Sequence, residues 1–406
     1  MPYSTLSDVA PAIDTSPRFA SSVPDTVIAI PVYNEAERIE ACLRAIDAQE
    51  GVRSGSLGLY LFLNNCSDGT DRIVAELVQD MSIPVRVRMV TFDGAHAGWA
   101  RRAAMEAAAE WIGPDGTAGT ILTSDADSRV PSDWVARNLA ALDAGADAVA
   151  GRIQIDEDEW AALPKSLRAR GKLEDAYSDL LTELEARIDH DPHDPWPCHR
   201  TTIGATLAVR LSAYRKVGGM PMIALGEDGA FVAALLQHGL RVRHAKDVVV
   251  TVSGRLVGRA PGGVADTIRA RCEVPDSLCD ARMEAVPRAL YRYLWRRRLR
   301  RLHASSALAT TTAWARKLSI PEADAVRIAK QPLVGLAVAE IERVSPKLVY
   351  RPLGPRQLPR HIRLATVVLS FLRAASALNR KLPPPELPEV KTLPEAKTMA
   401  VDPASR

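Results

Sequence analysis

The chain has 406 residues, of which 47% are hydrophobic and 25% charged; this balance excludes a disordered or collagen-like protein and suggests two or three folding units. The net charge of +3 hides a split: residues 1–280 hold 28 Lys and Arg against 40 Asp and Glu, whereas residues 281–380 hold 20 against 5. No apolar run reaches 18 residues, and Leu364–Leu372 is ended by Arg373, so no membrane span is predicted. The first residues lack a basic segment followed by an apolar run, so no signal peptide is expected. Cys42, Cys66, Cys198, Cys272 and Cys279 are odd in number and form no C-x-x-C pair, which predicts reduced thiols in a cytoplasmic protein and no zinc site.

Residues 1–24 are rich in Ser, Pro, Ala and Asp and read as a flexible arm. From there apolar runs alternate with helical stretches. Val27–Val32 reads as a buried strand, Glu37–Gln49 as a helix, and Leu57–Leu63 as a second strand. A helix opens near Asp68, Val85–Thr91 is a third strand, and Ala97–Trp111 an Ala-rich helix. Thr120–Thr123 and Ala146–Ile155 are further strands. This alternation predicts an α/β domain over 25–260, with a mostly parallel sheet covered on both faces. Residues 156–200 form a polar, helix-rich insertion within it. Residues 261–382 read as a basic helical extension, and 383–406 as a disordered Pro-rich tail.

In such sheets ligands sit at the carboxyl ends of the strands, so the informative residues follow each strand. Four polar clusters do: Pro31-Val-Tyr-Asn-Glu35, Asn64-Asn-Cys-Ser-Asp-Gly-Thr70, Gly94-Ala-His-Ala-Gly-Trp-Ala-Arg101, and Ser124-Asp-Ala-Asp-Ser128. Asp125 and Asp127 flank one residue after an apolar strand. Two hard carboxylates there can hold a divalent cation that in turn grips a diphosphate. The alternative is a solvated acidic turn. Glu227-Asp228 opens a further apolar helix, either as chemistry or as a complement to the helix dipole.

Together with Gly218-Gly-Met220 and Gly226-Glu-Asp-Gly229, the order and spacing of these motifs resemble a soluble, bacterial-type family 2 glycosyltransferase with the GT-A fold, over roughly residues 25–255. The resemblance implies a metal-dependent inverting enzyme that moves a sugar from a nucleotide-diphosphate donor to a hydroxyl of a small molecule, glycan or lipid. It implies nucleotide contacts from Pro31, Tyr33, Asn34, Glu35, Asn65, Arg101 and Asp125. It places Mn2+ or Mg2+ on Asp127 and Asp125, and catalysis on Asp228 with Glu227. Asn65 stands where the family usually has Asp, so the UDP-sugar preferred as donor leaves room for a GDP-sugar. Asp68 reads as a cap of the helix that follows it.

The resemblance also departs from the pattern. Many relatives carry a His after the last sheet strand, where this chain reads Thr251-Val-Ser-Gly-Arg255; the expectation is either a metal with fewer protein ligands, or Ser253 or a water as substitute. His244 stands earlier and reads as structural. In the loop His190–His199, His193, Trp196 and His199 are acceptor-contact candidates, against the alternatives of a Pro-stiffened loop or a second metal site. Residues 288–301 hold seven Arg among aromatic and aliphatic residues. Packing on the acidic domain, self-association and peripheral membrane contact are open readings; no nucleic-acid motif accompanies the charge. A non-catalytic subunit that binds nucleotide sugars is the rival to an enzyme.

Overall fold

The computed structural model describes residues 13–14, 23–113, 118–259, 262–310 and 312–381. Most of the expected arm and all of the expected tail lie outside these.

The sheet is built from β1 (Ile13–Asp14), β2 (Thr26–Val32), β3 (Leu57–Asn64), β4 (Val85–Val90), β5 (Thr120–Thr123), β6 (Ala148–Ile155), β7 (Leu207–Arg210) and β8 (Val242–Val252). Their spatial order is β1-β4-β3-β2-β5-β7-β6-β8. The pairs β2–β3, β3–β4, β2–β5 and β6–β8 are parallel, while β7 runs antiparallel to both β5 and β6. The chain moves outward from β2 through β3 to β4, then returns to β2's other side with β5. That reversal opens a crevice between the ends of β2 and β5, the place where open sheets bind ligands.

Strand alternation divides the core in two. Ile28, Ile30, Val32, Leu59, Leu61 and Leu63 pack with α1 (Ile39–Asp47), α2 (Thr70–Leu77) and α4 (Trp134–Asp143). Val27, Ala29, Tyr60 and Phe62 face α3 (Ala97–Ile112), α7 (Leu211–Lys216) and α8 (Glu227–Gln237). Each fully buried aliphatic side chain stabilises by about 1.5–3 kcal/mol. The sheet therefore does not depend on the polar groups at its strand ends.

Between β6 and β7 lie α5 (Glu157–Ala162) and the long α6 (Lys165–Ile188). After β8 come α9 (Val264–Glu273), α10 (Val286–Ala304), α11 (Ala307–Thr310), α12 (Ala313–Lys317), α13 (Glu322–Ala329), α14 (Val334–Val344) and α15 (Leu358–Lys381). α6 shares its core with them: Tyr177, Leu181, Leu184 and Ile188 pack with Val286, Ala289, Tyr293, Leu358, Ala365 and Leu369. A second small core joins Trp295 and Leu299 to α12, α13 and α14. No helix among the described residues is long and apolar enough to cross a membrane.

The basic third packs on acidic neighbours. Arg296 pairs with Glu185 at 2.7 Å and with Glu342, Arg300 with Asp189 at 3.2 Å, and Arg292 with Glu284 at 2.7 Å. α14 also seats directly on α8: a Cβ at Gly335 would lie 2.4 Å from the Leu236 carbonyl oxygen.

Candidate active site

The strand-end loops are stitched to one another before any ligand is considered. After β2, the Asn34 Oδ1 accepts from Ser67 N–H at 2.8 Å, and Glu35 N–H donates to Thr70 Oγ1 at 2.8 Å. Asp68 accepts from Ala36 N–H through Oδ2, and from Thr70 through Oδ1. It thus locks two loops together rather than simply capping α2, whose N-cap is Gly69. Partial burial opposes ionisation of Asp68, but the Thr70 and Ala36 hydrogen bonds prevail and lower its pKa. Pro31 is half-buried at the end of β2, and Tyr33 stands 41% exposed at the crevice.

Asn65 has left-handed backbone at φ 54°. Its amide donates to the Phe92 carbonyl at 3.0 Å and accepts from Phe92 N–H at 2.8 Å. Both ends of the side chain therefore tie β3 to the segment after β4. The sequence reading gave it to a nucleotide base; here that amide is committed to backbone.

Arg101 reaches the site from the first turns of α3. His96 Nδ1 caps that helix by accepting from Trp99 N–H, and Trp99 stacks on Phe92 at 4.9 Å between centroids. The Arg101 guanidinium is buried and fully employed. Its Nη2 donates to Asp125 Oδ1 at 2.6 Å and its Nε to Glu227 Oε1 at 3.2 Å. Its Nη1 meets Thr123 Oγ1 and the carbonyls of Ser124 and Gly204. Burial works against the charge, but Asp125 and Glu227 outweigh it and raise the Arg101 pKa. Sequence reasoning assigned Arg101 to the nucleotide. It lies instead beneath the site, bolting the D-x-D turn to the start of α8.

Two close approaches hold this bolt. A Cβ at Gly98 would sit 2.0 Å from the Ile223 carbonyl oxygen, and one at Gly204 2.6 Å from the Arg101 guanidinium. Only glycine lets α3 and the 204 loop come so near.

Glu227 is buried on Arg101, while Asp228 beside it is half-buried. Asp228 Oδ2 accepts from Gly204 N–H at 2.9 Å and Oδ1 from Gly229 N–H at 2.6 Å. The two carboxylates thus divide the work: Glu227 anchors, and Asp228 is aimed by backbone.

Arg255, which sequence reasoning did not single out, closes the constellation. It follows β8 and donates to both Glu35 oxygens, at 2.8 and 2.6 Å. The same guanidinium lies 3.0 Å from Asp127 Oδ2. Glu35 is buried in that grip instead of lining the crevice. Ser253, the expected substitute for the family His, donates to Glu159 at 3.3 Å. The only cue in the sequence was a charged residue just past the last strand, where the resemblance expects a ligand. Asp127 remains short of positive charge: burial, then Asp125, raise its pKa to about 6, against the pull of Arg255.

Residues 27–201 match the model described as glycosyl transferase family 2. This segment belongs to family 2. The protein is a glycosyltransferase, and its mostly parallel sheet with a helical C-terminal region is the GT-A fold carrying an extension. No curated protein matches the glycosyltransferase's sequence. Similar solved structures include S. aureus TarS 1–349 in complex with UDP-GlcNAc, at 14% identity and TM-score 0.44, over 80% of this chain and 90% of that one. A mannosyltransferase, PcManGT from Pyrobaculum calidifontis, in complex with GDP-Man and Mn2+, is 18% identical with TM-score 0.41, over 83% of this chain and 89% of that one.

The acceptor candidates His199 and Trp196 are engaged in other contacts. His199 is buried; its Nε2 meets the Ala150 carbonyl at 3.0 Å and its Nδ1 meets Thr201 Oγ1 at 2.8 Å. Burial, with the neighbouring His244, drives its pKa down to about 3, so it is a neutral packing element. Trp196 lies under Lys246 at 4.6 Å. His244 falls inside β8 rather than before the last strand, and pairs with buried Asp194 at 2.8 Å. The Trp196 and His244 contacts engage the first half of β8, whereas Arg255 follows its end.

Proposed function

We propose that the enzyme transfers a sugar from a nucleoside-diphosphate donor to an acceptor hydroxyl, with inversion and with the help of a divalent ion. The observation that carries this reading is the Arg101 bolt, which holds the D-x-D turn and the Glu227-Asp228 pair in one site. Asp125 and Asp127 are the residues that would hold Mn2+ or Mg2+. They fit: both are hard oxygen donors, and Asp127 is half-buried beside Asp125 and short of positive charge. The ion, when bound, supplies Lewis-acid neutralisation of the leaving diphosphate.

Asp228 takes the proton of the acceptor hydroxyl as its oxygen bonds to the anomeric carbon. The bond from that carbon to the diphosphate oxygen breaks on the opposite face, which inverts the centre. Backbone donors from Gly204 and Gly229 fix the carboxylate's direction, so little reorganisation is needed at the moment of transfer. Tyr33, exposed beside the crevice, is offered to the base. A UDP-sugar is the preferred donor, with a GDP-sugar as the comparison. Residues 25–260 form the catalytic unit, and the helices after it act as a buttress behind α8.

The test is a thermal-shift screen of UDP- and GDP-sugars with Mn2+, followed by donor hydrolysis and transfer assays on wild type and D127N. Stabilisation by one donor and loss of turnover in D127N are expected. Full activity in D127N refutes the site assignment, and binding without turnover across many acceptors favours a non-catalytic subunit.

A further inference from the structure

The side chain that the family reading leaves unused is Arg255. It is 19% exposed, and it grips Glu35 with two nitrogens while touching Asp127 with one. A second guanidinium, Arg259, stands 4.0 Å from Glu35. Arginine keeps its charge throughout the working pH range and binds planar or tetrahedral oxyanions through two donors at once. A divalent ion on Asp127 would therefore bring a second cation beside Arg255, and like charges at that range repel. A diphosphate entering the same crevice offers Arg255 a different anionic partner.

We propose that Arg255 is the resting cation of the site, which competes with the divalent ion for Asp127 and serves as a metal-independent anchor for the donor's diphosphate. The inference rests on the donor and metal reading above. It predicts effects of opposite sign on two ligands, which a merely structural role for Arg255 would not give. Removing the guanidinium should help the metal and harm the nucleotide.

The experiment uses full-length wild type, R255A and R255K. Each is titrated with Mn2+ alone, followed by the electron paramagnetic resonance signal of free Mn2+, and with UDP alone in EDTA, followed by calorimetry. R255A should bind Mn2+ about tenfold tighter and UDP about tenfold more weakly, as expected for loss of one charge-assisted contact. R255K keeps the charge without the two-nitrogen grip and should fall between on both axes. Unchanged or weaker Mn2+ binding by R255A, or unchanged UDP binding, overturns the proposal. Should R255A fail to fold, R255K carries the same two comparisons with the same signs. If wild type binds UDP neither in EDTA nor with Mn2+, the nucleotide-sugar reading itself fails; if it binds UDP only with Mn2+, the metal-independent anchor fails. If wild type binds both and the variants match it, only the role of Arg255 fails.

Discussion

The strand-end site and the seam between α6 and α10 are made from the same two side-chain types, balanced in opposite directions. At the seam, buried Glu185 meets Arg296 at 2.7 Å, Arg282 at 2.8 Å and Arg200 at 3.4 Å. Burial alone would raise its pKa, but the three cations hold it at about 2. At the site, Asp127 has Arg255, while Asp125 and Glu35 crowd it with like charge, and its pKa rises to about 6. A carboxylate with surplus cations is a fastener. One with too few is where the proposed cation would bind. If the proposed site is right, the contrast separates structural from functional acidic residues within one chain.

The most direct attempt to break that contrast is Asp228→Asn. Removing a general base should lower the rate of transfer by about 10²–10⁴-fold. The apolar core, not Asp228, carries the fold, so the melting temperature should stay near that of wild type. A large loss of stability with intact turnover would put Asp228 among the fasteners.

Glu185→Ala is the reverse experiment. It removes the carboxylate shared by Arg296, Arg282 and Arg200, but Arg296 keeps Glu342, Arg200 keeps Asp194 and Arg282 is partly exposed to water, so a loss of about 1.5–3 kcal/mol is expected. Urea unfolding reads this directly, and turnover per folded molecule should be retained. Asp127→Asn, by contrast, removes an undercompensated charge and should leave the urea midpoint unchanged or raised.

Acid sharpens the same opposition. Glu185 has a folded pKa of about 2 against an ordinary 4.5, so its contribution is complete above 4.5 and is lost as pH falls towards 2. The displacement corresponds to about 3 kcal/mol. Asp127 runs the other way: with a folded pKa near 6 against 3.8, it loses stability as pH rises from about 4 to 6. The urea midpoint should fall from pH 5 to pH 3 in wild type, and the fall should be smaller in Glu185→Gln. An identical fall in that variant would show that other groups govern the acid limb.

Much of this was legible in residue order. The strands of the first half are short apolar runs bounded by turn residues, and the structure places them within a residue or two of their expected limits. The polar clusters lie at strand ends because a parallel sheet puts them there. β7 was not legible as an antiparallel strand, since Leu207–Arg210 is four residues long and direction leaves no mark on so short an apolar run. Arg255 was missed for a different reason. Its partners Glu35 and Asp127 are 220 and 128 positions away, and an arginine past a strand reads as surface charge until the fold closes on it. Asn65 and Arg101 show the converse: motif position identified them, but only the fold shows that their polar atoms are consumed by Phe92, Asp125 and Glu227.

The smallest predicted effect concerns the Arg-rich stretch 288–301, whose seven arginines look alike in sequence. Arg288, Arg292, Arg296 and Arg300 recur every four residues, so they lie along one side of α10, and each meets a carboxylate: Glu284, Glu284 again, Glu185 and Asp189. Arg297 and Arg301 are exposed and have no carboxylate partner among the described residues. Replacing either with Ala should change the unfolding free energy read by urea by no more than about 0.5 kcal/mol, the usual range for a surface change. Replacing Arg296 breaks its contacts to Glu185 and Glu342 together and should cost several times that. Equal losses at Arg296 and Arg297 would mean that the basic helix is held by its total charge. Unequal losses would assign the excess charge of the C-terminal third to a seam, leaving only the outer arginines for any partner.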